Sequence, residues 1–115
     1  MKKKKIGLEF KNKKISLNVF ECNEFEKFTG LMFSQRQDAR ALLFDFKKSS
    51  RISLHSFFVF FPFVAIWLDD KNKIIDLKLI KPFKLGVSPK KPFYKIIEIP
   101  ANKKYNSLKK LLVGD

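Results

Sequence analysis

Arg51-Ile-Ser-Leu-His-Ser-Phe-Phe-Val-Phe-Phe-Pro-Phe-Val-Ala-Ile-Trp-Leu-Asp69 is the most apolar stretch of the chain, and how it is read decides the fold. Phenylalanine fills five of the seven positions from Phe57 to Phe63. A continuous apolar run suits a strand buried on both faces. Pro62 has no N–H to give to a ladder, so it marks an edge, a bulge or a break. The simplest reading is two strands flanking Pro62, with Phe57–Phe63 in the core. An exposed edge that rich in phenylalanine would invite aggregation. A membrane span is the competing reading, but Ser53, His55, Ser56 and Pro62 leave the run short of the roughly 20 apolar residues a span needs.

Outward from this centre the pattern is mostly period two. Asp70-Lys-Asn-Lys73 predicts a turn into a strand over Ile74–Lys81, the firmest hairpin of the chain. Pro82–Pro92 carries three prolines and reads as a loop. Phe93–Ile99 is a strand ended by Pro100, and Asn106 or Ser107 caps a short helix that stops at Gly114. Toward the amino end, Ile6–Phe10 and Lys14–Phe20 alternate around Lys11-Asn-Lys13 and predict a β-hairpin. Asn23 with Glu26 predicts a capping box, followed by Phe25, Phe28, Leu31 and Met32 at helical spacing. Gly30 within that pattern makes the helix short or bent. Ser34–Arg40 is a polar loop, Ala41–Phe46 a strand and Lys47–Ser50 a polar turn. The expectation is a mainly β fold: one compact β-sandwich or barrel of about seven strands with one or two short helices. With 115 residues it is one domain, 1–115, in which residues 1–5 form a basic tail.

The net charge is +14, from 25 basic and 11 acidic residues, yet only Arg36, Arg40 and Arg51 are arginines. Specific base readout leans on the bidentate arginine fork, which lysine lacks. The densest basic cluster is Lys2, Lys3, Lys4 and Lys5 with Lys11, Lys13 and Lys14. It is a solvated tail with a lysine-rich turn, or an electrostatic docking site for nucleic acid or anionic lipid. The amino terminus starts like a signal peptide, but Glu9 and Lys11 interrupt the apolar run such a peptide needs. Cys22 is the only cysteine, so no internal disulfide can form, which fits a reducing compartment and a cytoplasmic location.

Catalytic chemistry finds little support. His55 is the only histidine. A Cys22–His55 nucleophile pair would need a setting that stabilises a thiolate, and Glu21 and Glu24 flank Cys22. One histidine and one cysteine leave a zinc site to be completed by carboxylates. Four scattered glycines make no phosphate loop, and neither a cofactor nor a metal is expected. Alternation puts Tyr94, Ile96 and Glu98 on one strand face, where Glu98 either faces a cleft or pairs with a lysine of a neighbouring strand. The leading expectation is a non-enzymatic domain that binds a partner protein or small ligand through a cleft at His55, Glu98 and Met32. The alternative is non-specific nucleic-acid binding through Lys2, Lys3, Lys4, Lys5, Lys13 and Lys14.

An ordered set of residues then points to a family. Thr29-Gly-Leu-Met-Phe33, Leu42-Leu-Phe44, Phe61-Pro62, Ile66-Trp-Leu-Asp69, Ser88-Pro89, Ile97-Glu-Ile-Pro-Ala101 and Val113-Gly-Asp115 together resemble the domain of unknown function 192 family over roughly Leu8 to Asp115. The resemblance implies an all-β, jelly-roll-like fold with a short helix around Gly30–Phe33, and no known activity. Many members carry Trp-Met-Lys-Asn-Thr where this chain has His55-Ser-Phe-Phe-Val59, an Asp where it has Val64, and an Arg where it has Ser34. The polar candidate site of the family is therefore largely apolar here.

Overall fold

The amino-terminal alternation folds as read: β1 (Lys2–Phe10) and β2 (Lys13–Glu21) pair antiparallel, with Ile6 opposite Leu17 and Leu8 opposite Ile15. The chain is a computed structural model that describes residues 1–114, the side chains of Phe25 and Phe28 excepted; the helical spacing read at those two positions lies outside the described residues, as does Asp115. Asn23 caps α1 (Glu24–Thr29) through the expected box: its Oδ1 accepts from Glu26 N–H at 2.8 Å, and Glu26 Oε1 accepts from Asn23 N–H at 2.8 Å. Gly30 ends this helix at φ 52°, so the helix precedes Gly30–Phe33 instead of spanning it.

The remaining strands are β3 (Leu42–Ser50), β4 (Phe63–Leu68), β5 (Ile74–Ile80) and β6 (Phe93–Pro100), and α2 (Asn106–Val113) closes the chain. All six strands form one sheet in the order β1-β2-β3-β6-β4-β5, curled into a half-barrel. Of the sandwich and barrel alternatives, the barrel-like one holds. The outer strands β1 and β5 approach each other beside an isolated bridge between Glu9 of β1 and Lys73, the residue before β5. No helix of the described residues is long and apolar enough to cross a membrane.

Period-two alternation splits the apolar residues between the two sheet faces. Val64, Ile66 and Leu68 of β4 join Leu43, Ile97 and Ile99 and the β1–β2 side chains inside the curl, where Tyr105 and Leu112 also pack. Phe63, Ala65 and Trp67 join Phe44, Phe93 and Ile96 on the outer face, beneath α1 and the loops.

Three expectations are corrected. The described residues hold six strands, because Arg51–Pro62 is not one of them; it is irregular, and its one β-bridge among the described residues is Leu54–Val87. Val59 and Phe61 of that segment are buried, but Phe57, Phe58 and Phe60 are exposed. Lys47–Ser50 continues β3 past a bulge at Lys47 (φ 58°) instead of turning. The carboxy-terminal cap is Asn102, whose Oδ1 accepts from Tyr105 N–H ahead of a 3₁₀ turn (Lys103–Tyr105); neither Asn106 nor Ser107 serves.

Candidate functional site

Glu98 stands near the end of the central strand β6, with Leu42 of β3 and Ala65 of β4 as its cross-strand neighbours. Both neighbours are apolar, which removes the lysine pairing that was one reading of this residue. The Glu98 side chain points to the outer face and is 3% exposed. Burial alone pushes its carboxyl up from 4.5 to about 8. Among the described residues no side chain donates to it or pairs with it. The carboxyl is therefore protonated at neutral pH.

Glu98 lies in a cavity of about 490 Å³. β3 and β6 form the floor, the end of α1 with Gly30–Met32 one wall, and Ile52–His55 with Val59 the other. Its exposed members Glu24, Lys48, Ile52 and Ser53 mark the opening, and buried Phe44, Ile96 and Glu98 the closed end. Gly30 is required here twice over: its φ is +52°, and a Cβ would come within 3.2 Å of Glu98 Oε1 and 3.4 Å of the Phe44 ring. At the rim, Lys27 pairs with Glu24 at 2.9 Å and lies over the Phe46 ring.

His55, Glu98 and Met32 all line this one cavity. His55 is half-buried, and its Nδ1 accepts from Phe57 N–H at 3.3 Å. Cys22 is elsewhere, its Sγ 3.9 Å from Met1 Sδ. Burial first, then the charges of Glu26 and Glu98, push its thiol up to about 12. A thiol held protonated and apart from His55 supplies no nucleophile pair. Lys27, Lys48, Ile52 and Leu54 belong to the cavity but were not singled out from the sequence. Alternation placed Ile96 on the Glu98 face and could also have found Phe44. The loop residues carry no such signal.

The lysines divide differently. Lys2–Lys5 are exposed members of the edge strand β1 and pair with Asn18–Glu21, so they belong to the sheet and are not a tail. Lysines on an edge strand deter pairing with other chains. Lys14 lines an open groove of about 850 Å³ with Lys11, Lys71 and Lys73, between the β1–β2 and β4–β5 turns; Lys13 sits beside it, opposite Phe10.

The comparisons with known proteins bear on this arrangement as a whole. The DUF192 model, described as an uncharacterised ACR family, matches residues 6–108. The chain belongs to the DUF192 family. A UPF0127 protein of Pyrococcus furiosus is 34% identical over 93 residues, 78% of either chain. Two solved structures share the fold. One is from Sinorhizobium meliloti, described as a proposed transcription regulator, with a TM-score of 0.75 and 17% identity over 94% of this chain and 86% of that one. The other, of unknown function, is from Novosphingobium aromaticivorans, with a TM-score of 0.70 and 13% identity over 92% and 78%. In this DUF192 chain, His55 and Val59 line the cavity, while Ser56, Phe57 and Phe58 between them are not among its lining residues.

Proposed function

We propose that this DUF192 protein is a non-enzymatic β domain whose cavity binds a small, mainly apolar molecule, held at its closed end by Glu98. The observation that carries this reading is a buried carboxyl with no partner among the described residues, facing open space among apolar side chains. Such a group costs stability unless something hydrogen-bonds it. Ligand cavities are typically apolar with a few such convergent groups. A protonated carboxyl both donates and accepts, so it suits an amide or hydroxyl on the ligand. His55 and Met32 complete the lining as a hydrogen-bonding ring and a pliable thioether.

A fragment screen followed by amide NMR shifts tests this. Binders should move the amides of Gly30, Met32, Leu54 and Glu98 together, and Glu98→Leu should abolish those shifts while the fold is kept. Binders that cluster elsewhere, or shifts that survive Glu98→Leu, sink it.

A second reading rests on the lysine-lined groove at Lys11, Lys14, Lys71 and Lys73, which offers a site for a polyanion such as nucleic acid. Counterion release makes such binding steeply salt-dependent. A gel shift at about 50 mM salt that disappears toward about 200 mM would support it, and no shift at the lower salt would eliminate it.

A further inference from the structure

We infer that the protein docks on an anionic lipid surface through a cluster of exposed phenylalanines built by three separate loops. Phe33, Phe58, Phe60 and Phe83 are 68%, 46%, 61% and 48% exposed, and Leu85 beside them is 65% exposed. The cluster is continuous. Phe33 stacks on Phe58 with centroids 5.0 Å apart, and Phe83 meets Phe60 edge-on at 5.4 Å and Phe58 at 6.4 Å. A contiguous exposed apolar patch of this kind marks an interaction site in a soluble fold.

The backbone holds these rings outward at a cost. Phe33, Phe58 and Phe83 have φ of 61°, 58° and 60°, in the left-handed region that bulky residues avoid. Among the described residues the other non-glycine positions with positive φ are Lys11, Asn12, Lys47 and Asn72, all polar and at turns or a bulge. Strain concentrated on three residues of one patch persists only where the surroundings impose it, and it points to function. What imposes it is a set of hydrogen bonds. Phe33 N–H donates to Phe58 O at 2.8 Å, and Phe83 N–H donates to Ser56 O at 2.9 Å. Buried Ser56 Oγ accepts from Lys84 N–H and donates to Lys81 O, both at 2.7 Å.

Charge selects the occupant. Residues 31–37, 51–62 and 81–93, which carry the patch, contain no Asp or Glu. They do contain Arg36, Arg51, Lys81, Lys84, Lys90 and Lys91, all exposed. Insertable rings on loops that carry exposed cations and no acidic residue match an anionic headgroup layer over hydrocarbon. A second copy fits poorly, because a two-fold contact would bring the same cations face to face. Nucleic acid fits less well than lipid. Phe33 and Phe58 occupy each other's ring faces, and Leu85 offers neither stacking nor a hydrogen bond.

Vesicle sedimentation of the full chain tests the inference. The protein should pellet with phosphatidylcholine vesicles that carry about one-third phosphatidylserine, and not with pure phosphatidylcholine. Phe60→Ser with Phe83→Ser changes only exposed side chains and should weaken binding roughly ten-fold or more. Lys81→Gln with Lys84→Gln should weaken it roughly five-fold per charge and flatten its salt dependence. The inference is overturned by no pelleting at low salt, or by binding that the phenylalanine variant leaves unchanged. It is also overturned if that variant abolishes self-association or single-strand oligonucleotide binding while vesicles go unbound.

Discussion

Phe57–Phe61 and Phe63–Leu68 lie on either side of one proline and are almost equally apolar, yet they meet opposite fates. Every residue of Phe63–Leu68 is buried, because β4 is paired on both sides, by β5 and β6, and each sheet face has its own core to feed. Phe57–Phe61 has no strand partner. Only Val59 and Phe61 turn inward, and three phenylalanines are left in solvent. Apolar composition says what a segment would gain from burial, not whether the topology has an interior place for it. Pro62 is where the two outcomes separate: its carbonyl still accepts from Ala101 N–H at 3.0 Å, but it has no N–H with which to extend the ladder.

The largest expected effect contrasts two phenylalanines three positions apart. Phe63 is fully buried in the outer-face core, and Phe63→Ala should cost about 3–5 kcal/mol, much of what a domain of this size has to lose. Phe60→Ala, at a side chain 61% exposed, should stay within about 0.5 kcal/mol. Urea unfolding of both variants measures the difference. Equal losses would mean that the loop rings are structural and that the contrast between the two halves is false.

Next comes Glu98, which belongs to β6 but faces the cavity bounded by the loop half. Its carboxyl titrates near 4.5 unfolded and near 8 folded. The native state thus binds the proton more tightly, and stability present below about pH 4.5 is lost as pH rises through about 8. Glu98→Gln should remove that slope. The variant should match the wild type near pH 4 and exceed it by roughly a few kcal/mol near pH 9. Parallel stability curves for the two proteins would show that the carboxyl is solvated or paired in solution. A ligand that hydrogen-bonds the protonated carboxyl should also bind more weakly above about pH 8.

Much of this was legible in the sequence for a local reason. The β1–β2 and β4–β5 hairpins and the Asn23–Glu26 cap are set by residues a few positions apart, and alternation around Ile96 and Glu98 assigned the right faces. The role of Arg51–Pro62 was not legible, since it depends on non-local facts. Strands β5 and β6 fill both edges of β4 and leave no partner for a strand before Pro62. Ser56 is held by Lys81 and Lys84, residues 25 and 28 positions away. The cavity shows the same division: Glu98 could be nominated from its strand, whereas Lys27, Lys48 and Ile52 come together only through the fold.

Ser56 gives the smallest effect and the sharpest test of the two halves. Its hydroxyl is buried and satisfied at both ends, so Ser56→Ala strands Lys84 N–H and Lys81 O without changing the apolar core. Leaving such groups unpaired costs about 1–3 kcal/mol. The loss should be local: amide exchange should quicken at Val59, Phe83 and Lys84, which meet at Ser56, while Val64–Leu68 keep their protection. With the clamp gone, the left-handed backbone at Phe58 and Phe83 has less to enforce it, and the aromatic cluster should lose its fixed packing. If β4 instead quickens in step with the loops, the segments flanking Pro62 unfold as one unit, and the exposed phenylalanines are an extension of the core and not a surface held apart from it.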